Sequence, residues 1–456
     1  MNTKDIVIIG AGITGLTTAF YAQKNGKNVL VVERDNAVGG QMRSHRVGNY
    51  IFEAGPSTGV VSHPEVAELF EALKGDVEMD VALPSSKCRL IWKGDSFHPL
   101  PSGLKSAVTT PLFTLKDKIR ILGEPWRKPG TDPNEKVGDM TRRRLGKSFL
   151  DYAVDPFLSG VYAGDPMILP TRTALPKLYN LEHQYGSFIR GTIAKAKLPK
   201  TDRDRKATKQ LFSARGGFGQ LTTALARRIG YENIALSATG AKVEPASDGR
   251  FCVSYTDAEG NPQQVIAPRV VTTCGAYALP ALLPFVEKAE MDHISNLVYA
   301  PVIQIGVGIS NVENHHYKAF GALMPSKEKK DVLGILFPSA CFSGRAPQAG
   351  ETLAFFIGGV RHPEMLEWTD DQFVHLVDHS IHSLLKYPAS VTIDQMRIFR
   401  HRHAIPQYQE TSDQRYATIE TLQRRYPGLV IAGNLRDGIG MGDRIRQGTL
   451  IGNSSE

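Results

Sequence analysis

Residues 5–33, DIVIIGAGITGLTTAFYAQKNGKNVLVVE, leave this chain little choice of fold. The unbroken apolar run Ile6–Ile9 suits a parallel strand buried on both faces rather than one with a wet side. Gly10, Gly12 and Gly15 follow in G-x-G-x-x-G spacing. In such a turn the first glycine permits the bend, the second lets a pyrophosphate reach the backbone, and the third lets helix pack on strand. A helix that starts there points free N–H groups and the positive end of its dipole at the phosphates. A second apolar strand, Val29–Val32, ends at Glu33, where a carboxylate accepts hydrogen bonds from a ribose. A glycine triplet alone would mean only a tight turn. With strand, helix, second strand and acid in register, the pattern predicts dinucleotide binding, with Gly10, Ala11, Gly12, Ile13, Thr14, Gly15, Glu33 and Arg34 as contact residues.

Composition narrows the class. The 456 residues suffice for two or more domains or one large composite fold, and 41% hydrophobic with 22% charged residues is ordinary for a globular protein. Cys88, Cys252, Cys274 and Cys341 are scattered, with no C-x-x-C pair, which argues for a reducing compartment and against a cysteine metal site. MNTKD runs straight into the first strand, so no signal sequence is expected. The longest apolar candidate, 270–286, is interrupted by Gly275, Pro280 and Pro284 and does not span a bilayer. A formal charge of +8 suggests an anionic partner: a polycarboxylate, an acidic lipid or nucleic acid. No nucleic-acid module is visible, so no nucleic acid is expected.

Downstream, ERDNAVGGQMRS carries Gly39, Gly40, Gln41, Arg43 and Ser44, and resembles the extended fingerprint of the flavin amine-oxidase superfamily, which implies FAD. FEAGPST, with Glu53, Gly55, Pro56, Ser57 and Thr58, resembles the loop by which that superfamily approaches the flavin ring. AVDPFLSGVYAGDP, 153–166, is very similar to the signature of the protoporphyrinogen oxidase family within that superfamily. LPSGL, RRRLGKSFLDY, FSARGGFGQL, VLGILFPS and IPQY extend the likeness over nearly the whole chain.

The resemblance implies an α/β protein of the flavin amine-oxidase fold: a Rossmann-like FAD-binding domain, an antiparallel-sheet substrate domain and a helical insertion. It divides the chain into FAD-binding parts at 1–80, 206–280 and 396–456, substrate-domain strands at 81–98, a helical region at 99–205 with membrane association as an alternative, and the main substrate domain at 281–395. Residues 80–100 read as a hairpin turning at Lys93, Gly94 and Asp95. In the helical region Leu104, Val108, Leu112, Leu115, Ile119 and Leu122 form an apolar stripe beside Lys105, Lys116, Lys118 and Arg120. The stripe is expected to face a core, with a bilayer surface as the alternative. Residues 195–209, charge-dense and without period, are expected to be a mobile connection. The chain ends soon after Gly448, short of the longer helix usual in the family.

The family oxidises a porphyrinogen to a porphyrin, losing six electrons in two-electron steps to non-covalent FAD, and no Ser-His-Asp or paired-carboxylate constellation argues for another chemistry. By resemblance, Arg89 pairs with a substrate propionate, Leu336, Phe356 and Leu323 clamp the macrocycle, and Gly160 lies close to its reacting edge. Val243 contacts the adenine end through its backbone, and Ile439, Gly440 and Met441 face the flavin. From pattern alone Arg89 is an exposed strand arginine. The implied partners are a porphyrinogen, oxygen or another acceptor, and the next haem-pathway enzyme; the implied place is the cytoplasm, with a peripheral contact on the inner membrane face as an alternative. Protoporphyrinogen IX and coproporphyrinogen III both stay open as substrates, as do an amine oxidase and a non-catalytic flavin scaffold. His375, His379 and His382 share a helix face, but no acid or cysteine completes a metal site. Arg142, Arg143, Arg144 and Lys147 read as a solvated charge run, with anionic lipid as the alternative.

Overall fold

The structure, a computed structural model, describes residues 2–454 and, at Leu104, the backbone alone. At its centre is a five-stranded parallel sheet in the order Ile234–Ala235, Val29–Val32, Ile6–Ile9, Arg269–Thr272, Leu429–Ile431. The apolar runs seen in sequence are its inner strands, and Ile6–Ile9 and Val29–Val32 are buried throughout. The helix Ile13–Lys24 follows the glycine turn and packs on the sheet.

Across that helix lies Met441–Asn453. A Cβ at Gly448 would stand 2.6 Å from the Thr14 carbonyl oxygen, and one at Gly452 2.6 Å from that of Thr18, so the two helices touch backbone to backbone. The helix contains Gly448 and runs on to Asn453.

The second large layer is a seven-stranded sheet in the order Gln395–Pro406, Tyr299–Ile309, Glu351–Gly358, Gly334–Leu336, Gly321–Leu323, Arg89–Lys93, Ser96–Pro99. Every neighbouring pair is antiparallel except Gly321–Leu323 with Arg89–Lys93. Strand alternation sorts its side chains. Ile303, Ile305, Phe355 and Ile357 point to one face and pack under Phe373, Val377 and Ile381 of the helix Asp370–Ser383. Each such fully buried side chain contributes about 1.5–3 kcal/mol. The helix starts where a capping box dictates: Thr369 Oγ1 accepts from the Gln372 N–H, and the Gln372 side-chain oxygen accepts from the Thr369 N–H at 2.9 Å.

The two layers are pinned by a buried ion pair that sequence reading missed. Arg345, 2% exposed, donates to Glu53 at 2.8 Å, to Ser213 Oγ at 2.8 Å and to the Ala214 carbonyl at 3.2 Å. Glu53 also accepts from Ser44 Oγ at 2.6 Å and from the Phe218 N–H at 3.1 Å. Burial pushes the Glu53 carboxyl above its ordinary value, against the lowering pull of Arg345.

The helical region overturns three expectations. The stripe is not core: Val108, Leu115 and Leu122 are each 72% exposed and Ile119 59%, while only Leu112 is fully buried. It is broken between Leu104–Thr109 and Leu115–Leu122, so it never faces one partner; the Leu104 side chain lies outside the described residues. The arginine run is not solvated. Arg144 is 0% exposed and donates to Glu124 and Glu182, both at 2.7 Å, while Arg143 pairs with Glu135 at 2.6 Å and Glu182 at 2.8 Å. The interior of this small region holds a charged centre, and only Arg142 and Lys147 of the run keep the expected exposed place. Residues 195–209 hold a helical turn, Asp202–Arg205, whose Arg203 bonds Glu65 and Glu68 while Lys206 reaches Glu71. Charge complementarity docks the segment on the helix Pro64–Ala72.

Candidate active site

The glycine turn divides its labour as the spacing predicts. A Cβ on Gly15 would lie 1.9 Å from the Gly10 carbonyl oxygen, so strand and helix can approach this closely only without one. A Cβ on Gly12 would meet nothing within 4 Å: the backbone there faces open space. Gly39 closes against this turn, its N–H donating to the Ala11 carbonyl at 2.8 Å, and Gly40 sits opposite the Gly12 Cα. Glu33 Oε2 accepts from the Ala11 N–H at 2.7 Å and Oε1 from the Asp35 N–H at 2.8 Å, which fixes the carboxylate at the strand end. Arg34 has its side chain 76% exposed, with Nε 3.7 Å from Asp35. Ile13 and Thr14 are buried in the first helical turn. Val243 is fully buried on the edge strand Thr239–Pro245.

The loop 53–58 and the C-terminal loop approach from the other side. A Cβ on Gly55 would lie 2.5 Å from the Gln41 carbonyl, Pro56 is exposed, Thr58 is half-buried, and Ser57 Oγ is buried with no partner in the protein. Gly440 starts the helix Met441–Asn453, its N–H donating to Asp443 at 3.1 Å, with Met441 buried and Ile439 half-buried beside it. His63 holds Asp443 at 2.8 Å.

The backbone of the C-terminal loop is held by groups that no sequence motif marked. Arg415, 1% exposed, donates to the Leu435 carbonyl at 3.0 Å; Tyr408 donates to the Asn434 carbonyl at 2.6 Å; and Arg444 donates to the Gly433 carbonyl and, at 2.8 Å, to that of Arg436. Buried arginines that bond carbonyls rather than acids leave no charge pattern in the sequence.

On the large sheet the substrate candidates converge. Leu323 lies across from Ile91 and Gly334, and Gly334 across from Phe356. One row away, Arg89 lies across from Gly321, Gly321 from Leu336, and Leu336 from Ala354. Arg89, Leu323, Leu336 and Phe356 therefore share the face opposite the helix Asp370–Ser383. In the two short inner strands and Glu351–Gly358, Leu323, Leu336 and Phe356 are the half-buried positions among buried ones. Along the second row large and small residues alternate, and in the first Gly334 stands between Leu323 and Phe356; this apolar face is the candidate recess. Over it comes the helix Asp155–Tyr162: a Cβ on Gly160 would lie 2.3 Å from Leu323 Cδ2. The Arg89 guanidinium, exposed, stands over the Phe320 ring at 5.5 Å, with no carboxylate partner among the described residues.

Two imidazoles edge the same region. His401 contacts the Ala54 carbonyl, and His403 stacks on Tyr277 at 4.0 Å. Burial lowers the pKa of each below the usual histidine value, with Arg402 adding to the effect on His403.

Residues 13–448 match the family model described as flavin containing amine oxidoreductase. The chain belongs to this family. As a flavin oxidoreductase, its cofactor is FAD, and the observed donor set fits it: an open Cβ-free cradle at Gly12, a fixed Glu33 carboxylate, and an unpartnered Ser57 hydroxyl. Among its relatives, the Arabidopsis thaliana protoporphyrinogen oxidase 2 is 28% identical, with 98% of this chain and 93% of the relative covered. The coproporphyrinogen III oxidase of Bacillus subtilis is 25% identical, covering 98% of this chain and 96% of the relative. Among solved structures, an Exiguobacterium protein provisionally assigned as a protoporphyrinogen oxidase superposes with a TM-score of 0.81 at 21% identity, over 99% of this chain and 98% of that one. That likeness speaks for the flavin amine-oxidase fold. No helix among the described residues is long and apolar enough to cross a membrane.

Proposed function

We propose that this flavoenzyme oxidises protoporphyrinogen IX to protoporphyrin IX, with oxygen as the final acceptor. The observation that carries the reading is the single sheet face that presents Arg89, Leu323, Leu336 and Phe356 beneath Gly160. FAD, when bound, supplies a two-electron acceptor. The chain's own residues bind and orient: Leu323, Leu336 and Phe356 offer apolar surface to the macrocycle, Gly160 lets its helix close onto Leu323, and Arg89 offers a fork that suits a carboxylate arm.

The domain assignment follows the same reading. Residues 1–80, 206–280 and 396–456 hold FAD through Gly10, Ala11, Gly12, Ile13, Thr14, Gly15, Glu33 and the loops at 39–41, 55–58 and 439–441, with Val243 at the adenine end. Residues 81–98 and 281–395 bind the porphyrinogen. The FAD is held without a covalent bond, because the last cysteine, Cys341, lies far upstream of the C-terminal flavin-binding loop where amine oxidases with covalent flavin carry theirs. Acid precipitation should release yellow flavin into the supernatant; a yellow pellet contradicts this.

Charge at the recess favours two carboxylate arms over four. Arg89 lacks an acid among the described residues, whereas Arg361 is neutralised by Asp155 at 2.7 Å and Asp165 at 2.9 Å. The net charge of +8 and the Bacillus relative favour the second reading, coproporphyrinogen III. Turnover on both substrates tests the choice: protoporphyrinogen IX should be used with the higher kcat/KM, and equal or better use of coproporphyrinogen III overturns it. Arg89→Met should raise the substrate KM by about one to two powers of ten, the loss of one charge-assisted hydrogen bond, with FAD content unchanged.

The exposed Leu115, Ile119, Leu122 and Trp126, flanked by Lys116, Lys118 and Arg120, form a face for peripheral docking on an anionic bilayer, from which product passes to the next haem-pathway enzyme.

A further inference from the structure

The signature AVDPFLSGVYAGDP brings Gly160 to the recess, yet its two aspartates take no part in binding FAD or, on the reading above, the macrocycle. Asp155 opens the helix that carries Gly160, directly after a π-helical turn, Leu150–Val154. It is 4% exposed. Its Oδ1 accepts from Arg361 Nη1 at 2.7 Å, and its Oδ2 accepts from the Ser326 N–H at 2.8 Å and the Ser326 hydroxyl at 2.9 Å.

The positions of those partners give the contact its meaning. Ser326 follows shortly after Leu323, and Arg361 shortly after Phe356. One carboxylate therefore binds the continuation of two of the strands whose side chains line the recess. Arg361 also reaches past it to Asp165, with Nε at 3.1 Å and Nη2 at 2.9 Å, so both ends of the signature are tied to the same strand end. Between them Ala163 takes a left-handed conformation, φ 49°, that ends the helix, and its carbonyl accepts from the Val360 N–H at 2.9 Å. The helix above the recess and the sheet below it are thus joined by charge-assisted hydrogen bonds rather than by apolar packing alone. Buried ion pairs recover little net stability after desolvation, but they hold one geometry and disfavour its neighbours.

We infer that Asp155, acting through Arg361 and Ser326, is the positioning residue that seats the helix bearing Gly160 against Leu323, and so sets the shape of the apolar face offered to the macrocycle. The inference rests on the porphyrinogen reading. It assigns the acids at the two ends of the signature to placing that helix and leaves contact with substrate to the glycine between them.

The test compares Asp155→Asn, Asp155→Glu and Ser326→Ala with the parent as purified FAD-loaded proteins. FAD content is read from visible absorbance, KM and kcat from turnover of protoporphyrinogen IX, and porphyrin affinity from quenching of protoporphyrin IX fluorescence. Asp155→Asn should retain FAD and keep kcat within about twofold, while KM and the porphyrin Kd rise about tenfold; a shift in the placing of the helix acts on fit. Asp155→Glu should recover part of the loss. If Asp155→Asn does not fold, Ser326→Ala, which leaves the ion pair intact, decides by the same split. Unchanged KM and Kd in Ser326→Ala and in every folded Asp155 variant overturn the inference alone, even if their Tm falls. A parent protein that neither oxidises nor binds the porphyrinoid overturns the reading beneath it, and the inference with it.

Discussion

The opening βαβ unit and the helical region between Pro99 and Arg205 put opposite residues inside. In the first, Ile6, Val7 and Ile8 are at most 2% exposed, and the acid that matters, Glu33, stands at the strand end with its oxygens on backbone N–H groups. In the second, Leu115 and Leu122 are 72% exposed while Arg144 and Glu124 are 0% exposed. Sheet strands are covered on both faces by the chain itself, so apolar residues there have a guaranteed partner. Short helices of an insertion have no such guarantee. Their interior is small enough to be organised by a few ions, and their apolar residues are free to face a second phase.

The largest effect expected from this contrast lies in the βαβ unit. Gly15→Val would place its first carbon 1.9 Å from the Gly10 carbonyl oxygen, against backbone that cannot yield without parting helix from strand. The purified variant should lack flavin absorbance; a protein that keeps its FAD would show the turn to be softer than the packing implies.

Next comes Arg144→Leu, which leaves Glu124 and Glu182 buried without their shared cation and should cost about 3–5 kcal/mol of stability, read by denaturant unfolding. If the cost is near zero, the ionic interior is dispensable and the contrast fails. A related and smaller effect is its pH dependence. Burial pushes Glu124 upward, but the Ser187 hydroxyl, the N–H groups of Phe188 and Ile189, and Arg144 hold it below its ordinary 4.5; Glu182 is held below 4.5 by Arg143 and Arg144 in the same way. Folded values below unfolded ones mean that this stability is complete above pH 4.5 and is lost as the pH falls through the folded values. Unfolding curves at neutral pH and below pH 4.5 should diverge more in the parent than in Arg144→Leu.

The smallest effect on stability is expected from the double substitution Leu115→Asp with Ile119→Asp, within about 0.5 kcal/mol because both side chains already face outward. The same variant should lose sedimentation with vesicles containing anionic lipid. Unchanged sedimentation would remove this face from the membrane reading.

The contrast also sets how far the sequence could be read. The opening strands and the turn at Gly10, Gly12 and Gly15 are written in local periodicity and spacing, and they stand where pattern placed them. Leu323, Leu336 and Phe356 were named by likeness to a family; that they share one face follows from strand register, which no local pattern in three-residue strands conveys. The stripe at Val108, Leu115, Ile119 and Leu122 shows the limit of periodicity: it marks residues that share a side, not what covers that side. Arg144, Arg345 and Arg415 were illegible for a related reason. A buried arginine is defined by acids and carbonyls distant in sequence, such as Glu124, Glu53 and Leu435.

Anaerobic mixing of the purified yellow protein with protoporphyrinogen IX and, separately, with coproporphyrinogen III tests the central claim most directly, with flavin absorbance and porphyrin fluorescence followed together. Rapid loss of flavin absorbance with protoporphyrinogen IX, matched by rising porphyrin fluorescence and slower with coproporphyrinogen III, is the predicted result. No loss with either, in protein that still holds its FAD, would contradict the assignment of the recess at Arg89, Leu323, Leu336 and Phe356 to a porphyrinogen.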